Sequence, residues 1–494
     1  MSWSGEFERW RTHDGLAPEH LAELERIAER PEEIADRFGS QLAFGTGGLR
    51  GKLGLGTSRM NRFTVRRATM GYASYLLDRG GGPGGTGVVI AYDSRTGSEE
   101  FAEEAALVLA SRGIPVHVFH GIRPTPLLSY AVRTLGAQGG IVITASHNPP
   151  EYNGYKVYGP NGGQLLPDEA NEIGRRAAAV DNYFNPPGDL VAPVSRVGQE
   201  MDERYLRDVE TVVERSLGVR VARESRARLG IVFTPLHGTG YRLVPAILET
   251  LGFADVSPVE EQCVPDGTFP TVKSPNPEDP GAFDLAMVVA EEMASKGRRP
   301  ALLIATDPDA DRLGACVWDG QGYRHLTGNQ IGVLLADALI EARAASGVDM
   351  SDCVLMKSIV STEMVRSLCD SHGIRVIDTL TGFKYIGAKM DELDDVSRQF
   401  VLGFEESCGY LAGDLARDKD AVMAAALLAC AAASSAASGG SLWLRLQELY
   451  ARHGYYFDRL ITVPVSQGNG PGRAMQGLPA AGVGHRSPGF GRWQ

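Results

Sequence analysis

The chain has 494 residues, more than one compact domain normally contains, and this length predicts about three or four domains. Hydrophobic residues make up 43% and charged residues 22%, a balance typical of folded globular proteins rather than disordered chains. The formal charge is -12 and no basic run is present, so we expect no nucleic-acid partner.

The cysteines and the N-terminus bear on location. The six cysteines are widely spaced without a CxxC pair, which is typical of a reducing cytosol and argues against a zinc ribbon. The first residues carry charges and lack the apolar stretch of a signal peptide. The longest uncharged run, from Ala421 to Ala437, is alanine-rich, so we interpret it as a buried helix. We expect a cytoplasmic protein without membrane association or an obligate protein partner.

Apolar β-rich runs repeatedly end in polar loops, and helical patterns follow these loops. In chain order the loops read YDSRTG from Tyr92, ASHNPP from Ala145, TPLHGTG from Thr234, TDPDADR from Thr306 and GFEESCGY from Gly403. This alternation indicates α/β units whose sheets are covered on both faces. Because ligands gather at the carboxyl ends of strands in such sheets, these loops are the candidate site.

One helix shows the pattern clearly. Ser98 is the predicted N-cap, Phe101 and Ala105 begin the apolar face, and Gly113 ends the helix. The acidic residues directly after Ser98 suit the first turn of a helix.

The domain boundaries are predicted from loop-like joints at residues 185–188 and 319–322. We predict three consecutive doubly wound α/β domains with mixed sheets at 1–194, 195–318 and 319–452, with an error of several residues at each edge. From Ser466 to Gln494 the sequence is rich in glycine and proline and contains no acid. Residues 453–494 are therefore predicted to be a truncated or disordered remnant of a fourth, α+β domain.

The segment Thr144–Pro150, here called the serine loop, places Ser146 directly after a strand. An exposed serine there suits acceptance of a transferred group, although an ordinary turn is the alternative. Ten residues on, the motif NGYK places Lys156 where we expect the chain to fold back towards the serine. Only 8 of the 49 basic residues are lysines, and lysine, unlike arginine, can lose its proton in a suitable environment.

The segment Asp307–Arg312, here called the aspartate loop, carries carboxylates at alternate positions. In an extended chain such side chains point the same way and can converge on one hard cation. An EF-hand is excluded because Arg312 replaces the sixth-position glycine and Trp318 the twelfth-position glutamate. The alternative is a solvated acidic turn, in which three close like charges repel one another. The loop predicts a Mg²⁺ site completed by a phosphate oxygen.

Three further loops suit a phosphorylated polyol. Residues 45–51 offer backbone amides and the guanidinium of Arg50, which can bind phosphate. Glu405 and Ser407 offer acceptors for sugar hydroxyls, and residues 381–384 offer an apolar wall and a cation. Each segment alone is typical of an ordinary loop, so it is their joint occurrence that indicates a sugar-phosphate site.

Together these motifs resemble those of the α-D-phosphohexomutase family, in the phosphoglucomutase branch that includes phosphopentomutase-like members. The resemblance extends from Leu42 to Leu460 and covers three of the family's four domains. TASHNPP with the downstream NGYK, DPDADR and the EES of GFEESCGY are jointly specific, and FGTGGLRG, TPLHGTG and TLTGFK agree in order.

The resemblance implies a role for each site residue. Ser146 would be a phosphoserine that donates and regains a phosphoryl group, and His147 and Lys156 would assist proton transfer. The implied Mg²⁺ ligands are the phosphorylated Ser146, Asp307, Asp309 and Asp311. The residues implied to support the phosphoserine or bind substrate are Thr46, Arg50, Arg312, Thr381, Gly382, Lys384, Glu405 and Ser407.

The implied reaction interconverts glucose 1-phosphate and glucose 6-phosphate through glucose 1,6-bisphosphate, which is both intermediate and activator. Phosphopentomutase and phosphomannomutase activities are the alternatives. The family's phosphate-binding loop, of the type RxSGTEP, is not found in the sequence. Three interpretations therefore stay open. The sequence is truncated or shifted in frame near Ser466, or the chain is a sugar-phosphate-binding protein of low activity, or it is a Mg²⁺-dependent phosphatase.

Overall fold

A computed structural model describes residues 2–45, 47–82, 84–217 and 221–457. Met1–Tyr455 form one compact unit, and every feature discussed below lies in it. Of the second unit, Tyr456–Gln494, only Tyr456 and Phe457 belong to the described residues.

The first sheet is mixed. Its strands are β1 (Gly48–Lys52), β2 (Val88–Tyr92), β3 (Val116–Phe119), β4 (Gly139–Ile143), β5 (Tyr152–Tyr158) and β6 (Val194–Val197), in the order β1-β5-β4-β2-β3-β6. Strand β5 runs antiparallel to β1 and β4, and the other neighbours are parallel. The helices of this region are α1 (Trp3–Arg11), α2 (Pro18–Ile27), α3 (Pro31–Phe38), α4 (Arg62–Leu77), α5 (Ser98–Ser111), α6 (Thr125–Leu135) and α7 (Pro167–Ala178).

The second sheet has the order β11-β10-β9-β7-β8. Its strands are β7 (Ile231–Thr234), β8 (Val256–Pro258), β9 (Leu302–Thr306), β10 (Leu313–Trp318) and β11 (Tyr323–Leu326). The accompanying helices are α8 (Gln199–Ser216), α9 (Arg223–Ala227), α10 (Gly240–Thr250) and α11 (Asp284–Ser295), with short 3₁₀ turns at Glu260–Gln262 and Pro280–Phe283. Strand β9 leads into the aspartate loop, and the antiparallel β10 follows it.

The third sheet has the order β13-β12-β14-β15. Its strands are β12 (Val354–Ser358), β13 (Arg375–Thr379), β14 (Phe400–Glu405) and β15 (Gly409–Leu411). The helices are α12 (Gly328–Ala345), α13 (Met364–Asp370), α14 (Phe383–Met390), α15 (Val396–Gln399), α16 (Ala421–Ala437) and α17 (Leu442–His453), with a 3₁₀ turn at Met350–Asp352.

Helix α16 lies in a hydrophobic core that extends through all three regions. Its first thirteen residues are all buried, which confirms the buried helix expected from its alanine-rich sequence. It packs against α8, α10 and α12, and its small side chains allow close approach on every side. Because this core is shared, the loops at the strand ends are held in fixed positions relative to one another.

Within the described residues, no single helix is both long and apolar enough to cross a membrane. Helices α16 and α17 pass that test only as a pair, and they are bent by 86° where they meet.

Three α/β domains with mixed sheets agree with the predicted fold class. The predicted boundary after residue 194 falls inside β6, whose residues all pair with β3. The boundary after residue 318 separates β10 from its hairpin partner β11, so the second sheet extends to Leu326. The predicted fourth-domain remnant lies, from residue 458 onward, outside the described residues.

The predicted cap of helix α5 is wrong by one position. Gly97, in the left-handed region with φ 80°, precedes the helix, and Ser98 is its first residue. The Ser98 hydroxyl instead donates a 2.7 Å hydrogen bond to the buried carboxylate of Asp93. A side chain used in this tertiary contact is not available to cap the helix.

Candidate active site

The serine loop holds Ser146 in a left-handed backbone conformation, which residues other than glycine rarely adopt. Ser146 has φ 52°, which carries a backbone strain of about 1–3 kcal/mol in a residue other than glycine. Its amide donates a 2.8 Å hydrogen bond to the Thr144 hydroxyl. The following NGYK motif lies on strand β5, which folds back antiparallel to β4 and so returns the chain towards the serine loop. Gly154 is required there, because a Cβ would lie 2.4 Å from the Thr144 carbonyl oxygen.

The hydroxyl of Ser146 contacts the aspartate loop directly. Its Oγ donates a 2.7 Å hydrogen bond to Oδ2 of Asp307, and His147 Nδ1 lies 3.2 Å from the same Oγ. The sequence predicts an exposed serine, but Ser146 is only 3% exposed because the aspartate loop covers it. The pairing joins the first two domains at the carboxyl ends of β4 and β9.

The aspartate loop is a turn, which corrects the prediction of an extended segment. Ala310, with φ 48°, donates its amide to the Asp307 carbonyl oxygen over 2.9 Å, and the chain reverses there. The amides of Asp311 and Arg312 donate to Asp307 Oδ1 over 3.1 and 3.0 Å. The three carboxylates therefore converge because the backbone turns, and not because alternate residues of a strand share one face.

These three carboxylates form a candidate metal centre. Asp307, Asp309 and Asp311 are buried, and one oxygen of each lies within 4.8 Å of the others. Oδ1 of Asp309 and Oδ1 of Asp311 are buried without a hydrogen-bond partner. Buried carboxylate oxygens without donors are the ligands that a hard divalent cation needs, so the donor set fits Mg²⁺.

Two lysines face the carboxylates. Lys156 Nζ lies 2.9 Å from Asp309 Oδ2, and Lys419 Nζ lies 3.1 Å from Asp311 Oδ2. Burial, the largest single effect, acts to raise the pKa of Asp309, but the charge of Lys156 together with hydrogen bonds to Asp307, Lys156 and Thr125 lowers the net pKa. Burial and then the neighbouring carboxylates raise the pKa of Asp307, and burial and then Asp309 raise that of Asp311. The site thus balances close negative charge against one cation within β5 and another in the segment before α16.

His147 is neutral at physiological pH. Burial, and then the positive charges of Arg312 and Arg50, lower its pKa to about 3. Arg50 donates a 3.0 Å hydrogen bond to the Asn148 side chain, which places its charge beside the serine loop. Arg312 forms an ion pair with Glu278. The neutral imidazole therefore lies within hydrogen-bond distance of Ser146 Oγ.

The structure brings two of the predicted substrate loops together. Glu405 ends strand β14, and its Oε1 accepts a 2.7 Å hydrogen bond from the amide of Gly382. Gly382 has φ 117°, a conformation that favours glycine. The Leu313 amide donates to the Cys408 carbonyl oxygen over 2.9 Å, so the loop after Glu405 abuts the strand that leaves the aspartate loop.

The remaining predicted substrate residues occupy different surroundings. Thr381 is exposed and Ser407 is half-buried. Lys384 lines a cavity of about 270 Å³ that is also bounded by Gln164 and Asp391. Thr46 lies outside the described residues.

The predictions missed several residues that complete the site. Arg95 donates to four backbone carbonyls around the serine loop, and Lys419 pairs with Asp311. The Thr125 hydroxyl donates a 2.9 Å hydrogen bond to Asp309 Oδ2. Lys419 could have been found from the scarcity of lysine in the sequence. Arg95 could have been found from its place in a polar loop directly after a strand.

Comparison with known proteins gives the same assignment. Models of phosphoglucomutase/phosphomannomutase α/β/α domains I, II and III match residues 41–184, 203–320 and 327–453. A phosphoglucomutase from Staphylococcus haemolyticus is 39% identical over 428 residues, which cover 85% of this chain and 74% of that relative. A phosphoglucomutase from Staphylococcus aureus is 38% identical over 461 residues, covering 92% of this chain and 79% of the relative.

Solved structures share the architecture. A candidate phosphomannomutase from Thermus thermophilus has a TM-score of 0.66 and 27% identity over 84% of each chain. A phosphoglucomutase/phosphomannomutase family protein from Burkholderia thailandensis has a TM-score of 0.63 at 23% identity, covering 83% of this chain and 80% of that one, and supports the fold alone. The chain therefore belongs to the phosphoglucomutase/phosphomannomutase family and is a phosphohexomutase, an enzyme of the isomerase class.

Proposed function

We propose that the chain interconverts glucose 1-phosphate and glucose 6-phosphate through a phosphoryl group carried on Ser146. The observation that carries the proposal is the 2.7 Å contact between Ser146 Oγ and Asp307 Oδ2, at the edge of three buried carboxylates. The glucose preference is supported by the relatives named phosphoglucomutase, which are 38–39% identical to this chain.

In the first half-reaction, a hydroxyl of the sugar monophosphate attacks the phosphorus on Ser146. The bond between Oγ and phosphorus breaks, a new oxygen–phosphorus bond forms on the sugar, and the product is glucose 1,6-bisphosphate. The sugar hydroxyl loses a proton and the departing Oγ gains one. His147 and Lys156 would assist this transfer, since His147 Nδ1 lies 3.2 Å from Oγ and Lys156 Nζ lies 2.9 Å from Asp309 in the same site. The bisphosphate then turns end for end and returns its other phosphoryl group to Ser146, so no phosphate is consumed.

Asp307, Asp309 and Asp311, together with a phosphate oxygen on Ser146, are the groups that would hold Mg²⁺. The bound cation would offset the negative charge on the transferred group. Lys156 forms ion pairs with Asp309 and Asp311, and Lys419 forms one with Asp311, so both lysines offset the negative charge of the aspartate loop. The low exposure of Ser146 also restricts the access of water, which favours transfer to the sugar over hydrolysis.

The sugar itself is assigned to the segments that carry Gly382 and Glu405. Their direct hydrogen bond makes one surface from two loops of the third sheet. Burial raises the pKa of Glu405, and the nearby Lys419 acts in the opposite direction. The carboxyl group of Glu405 is a suitable hydrogen-bond partner for sugar hydroxyls.

The proposal is tested by measuring product formation from glucose 1-phosphate, mannose 1-phosphate and ribose 1-phosphate with Mg²⁺ and a trace of glucose 1,6-bisphosphate. We expect the highest kcat/KM for glucose 1-phosphate. A higher value for the mannose or ribose substrate would overturn the glucose preference while leaving the mutase chemistry in place. Release of inorganic phosphate faster than formation of the isomer would instead show a phosphatase.

A matched pair of variants isolates the role of the nucleophile. Ser146→Ala removes the hydroxyl that carries the phosphoryl group, whereas Ser295→Ala removes an exposed hydroxyl that bonds only within its own helix turn. We expect Ser146→Ala to lose mutase turnover by several orders of magnitude and Ser295→Ala to retain it. Comparable rates in the two variants would contradict the assignment.

A further inference from the structure

Arg95 lies in the YDSRTG loop at the carboxyl end of β2, and its side chain is fully buried. Its Nε lies 3.4 Å from Oδ2 of Asp93, whose side chain is also fully buried. A buried guanidinium costs several kcal/mol unless its charge is paired and its N–H groups are bonded. Neither Nε of Arg95 nor Oδ2 of Asp93 has a hydrogen-bond partner among the described residues, so all hydrogen bonds of this guanidinium come from its Nη1 and Nη2 groups.

Those donors reach the backbone around Ser146. The guanidinium donates to the carbonyl oxygen of Ser146 over 2.6 Å, of Pro149 over 2.9 Å and of Tyr152 over 3.0 Å. A further hydrogen bond goes to the carbonyl oxygen of Asn148. One planar side chain thus binds the chain before, within and after the two prolines of the loop.

This arrangement accounts for the strained conformation of Ser146. A serine with φ 52° persists only where surrounding contacts over-determine it. The planar fork of arginine presents five N–H donors in fixed directions, whereas lysine has three donors on a flexible stem. Lysine at position 95 would keep the positive charge but would not reproduce the four carbonyl contacts.

Arg95 also contacts the second domain. Its guanidinium carbon lies 4.9 Å from the centre of the Phe269 ring, which is a cation–π distance. Gly267, two residues earlier, is so close that a Cβ would lie 2.5 Å from the Thr96 amide nitrogen. The segment around Phe269 therefore packs directly against the loop that carries Arg95.

The same segment is bonded to the aspartate loop through the TPLHGTG motif. His237 forms 2.9 Å hydrogen bonds with the Val264 carbonyl and the Thr271 hydroxyl, on either side of Phe269. Thr239 then donates its amide to the Pro308 carbonyl over 2.8 Å. These contacts connect Ser146 through Arg95, Phe269 and His237 to the aspartate loop. The hydrogen bond between Asp307 and Ser146 completes the circuit.

We propose that Arg95 is a positioning residue that holds Ser146 Oγ against Asp307 by binding the serine loop and packing against Phe269. The inference rests on the proposed phosphoserine function. The hydrogen bonds, ion pair and ring contact of Arg95 go to the serine loop, Tyr152, Asp93 and Phe269, and none of these groups belongs to the sugar-binding segments assigned above. Its loss therefore misplaces the phosphoryl group without weakening the binding of the sugar.

The test compares Arg95→Lys with wild type and with the control Arg79→Lys, an exposed arginine that also pairs with a carboxylate and an aromatic ring. We expect Arg95→Lys to lower kcat by about tenfold or more while KM for glucose 1-phosphate stays within about twofold. The control is expected to match wild type. A merely structural role would lower the Tm but leave kcat per folded molecule unchanged.

Phe269→Leu provides a second variant, which keeps an apolar side chain but removes the cation–π contact. We expect Phe269→Leu also to lower kcat, with unchanged KM. If Arg95→Lys does not fold, this variant tests the positioning role of Arg95 in its place. Values of kcat within about twofold of wild type in the folded variants would overturn the inference. Absence of turnover in wild type, and absence of phosphoryl transfer from glucose 1,6-bisphosphate to Ser146, would instead overturn the proposed function.

Discussion

Ser146 Oγ donates a 2.7 Å hydrogen bond to Asp307 Oδ2, although 161 positions separate the two residues. The hydroxyl that would carry the phosphoryl group is therefore placed against the carboxylates that would hold the metal. The aspartate loop reverses direction at Ala310, and Arg95 binds the backbone carbonyls of the serine loop. Two rigid turns at the carboxyl ends of neighbouring sheets thus create the site, and each can be tested separately.

Mg²⁺ is expected to stabilise the protein, because the ion would fill a site of buried carboxylate oxygens that have no donors. We predict that millimolar Mg²⁺ raises the Tm and that EDTA reverses the rise. Asp309→Asn should abolish the response, whereas Asp352→Asn, a change in an exposed ion pair, should retain it. If Mg²⁺ raised the Tm of both variants equally, the ion would bind at a site other than the aspartate loop.

Lys419 is expected to be as important as the residues identified from sequence motifs. Its ammonium lies 3.1 Å from Asp311, one of the three candidate metal ligands, and 3.2 Å from Asp418. We predict that Lys419→Met lowers kcat by about a hundredfold, the usual effect of losing one charged group that stabilises a transition state. Lys389→Met, at an exposed lysine on α14, is the control and should retain the wild-type rate. Equal kcat values for Lys419→Met and Lys389→Met would show that Lys419 has no part in the reaction.

The stability of the protein should depend on Asp420, the N-cap of α16. Burial raises its pKa to about 6, although hydrogen bonds from the Met423 amide and the Tyr205 hydroxyl act in the opposite direction. An unfolded aspartate has a pKa of about 3.9. The folded state therefore holds more protons between these values, and this carboxyl makes the protein less stable as the pH rises from about 4 to about 6.

Asp420→Asn removes this titration and retains a capping side chain. We predict that the free energy of unfolding of the variant, relative to wild type, increases by about 3 kcal/mol over that pH range. Asp395→Asn is the matched control, because hydrogen bonds from Ser397 and the Arg398 amide lower the pKa of that exposed cap. Its relative stability should change in the opposite direction. Parallel pH profiles for wild type and Asp420→Asn would contradict the prediction.

Much of the fold could be predicted from local sequence, because each sheet is built from short apolar runs that end in polar loops. The sequence also identified the carboxylates of the aspartate loop and the serine that they face. The contacts of Arg95 and Lys419 could not be predicted, since they join residues that are distant in sequence and depend on how the sheets pack.

Local rules also misplaced some details. The convergence of the three aspartates was attributed to an extended chain, whereas the left-handed Ala310 turns the backbone. The boundary after residue 318 followed a turn signal that belongs to the β10–β11 hairpin. In each case a short polar segment was compatible with two structures, and long-range pairing decided between them. The roles assigned to the site residues remain predictions.

The central claim is that Ser146 carries the phosphoryl group. Incubation of the purified protein with glucose 1,6-bisphosphate and Mg²⁺, followed by peptide mass spectrometry, tests it most directly. We predict one added phosphoryl group on the peptide that contains Ser146, and its loss when excess glucose 6-phosphate is added. No phosphorylation, or phosphorylation of another residue, in protein that turns over glucose 1-phosphate would contradict the mechanism.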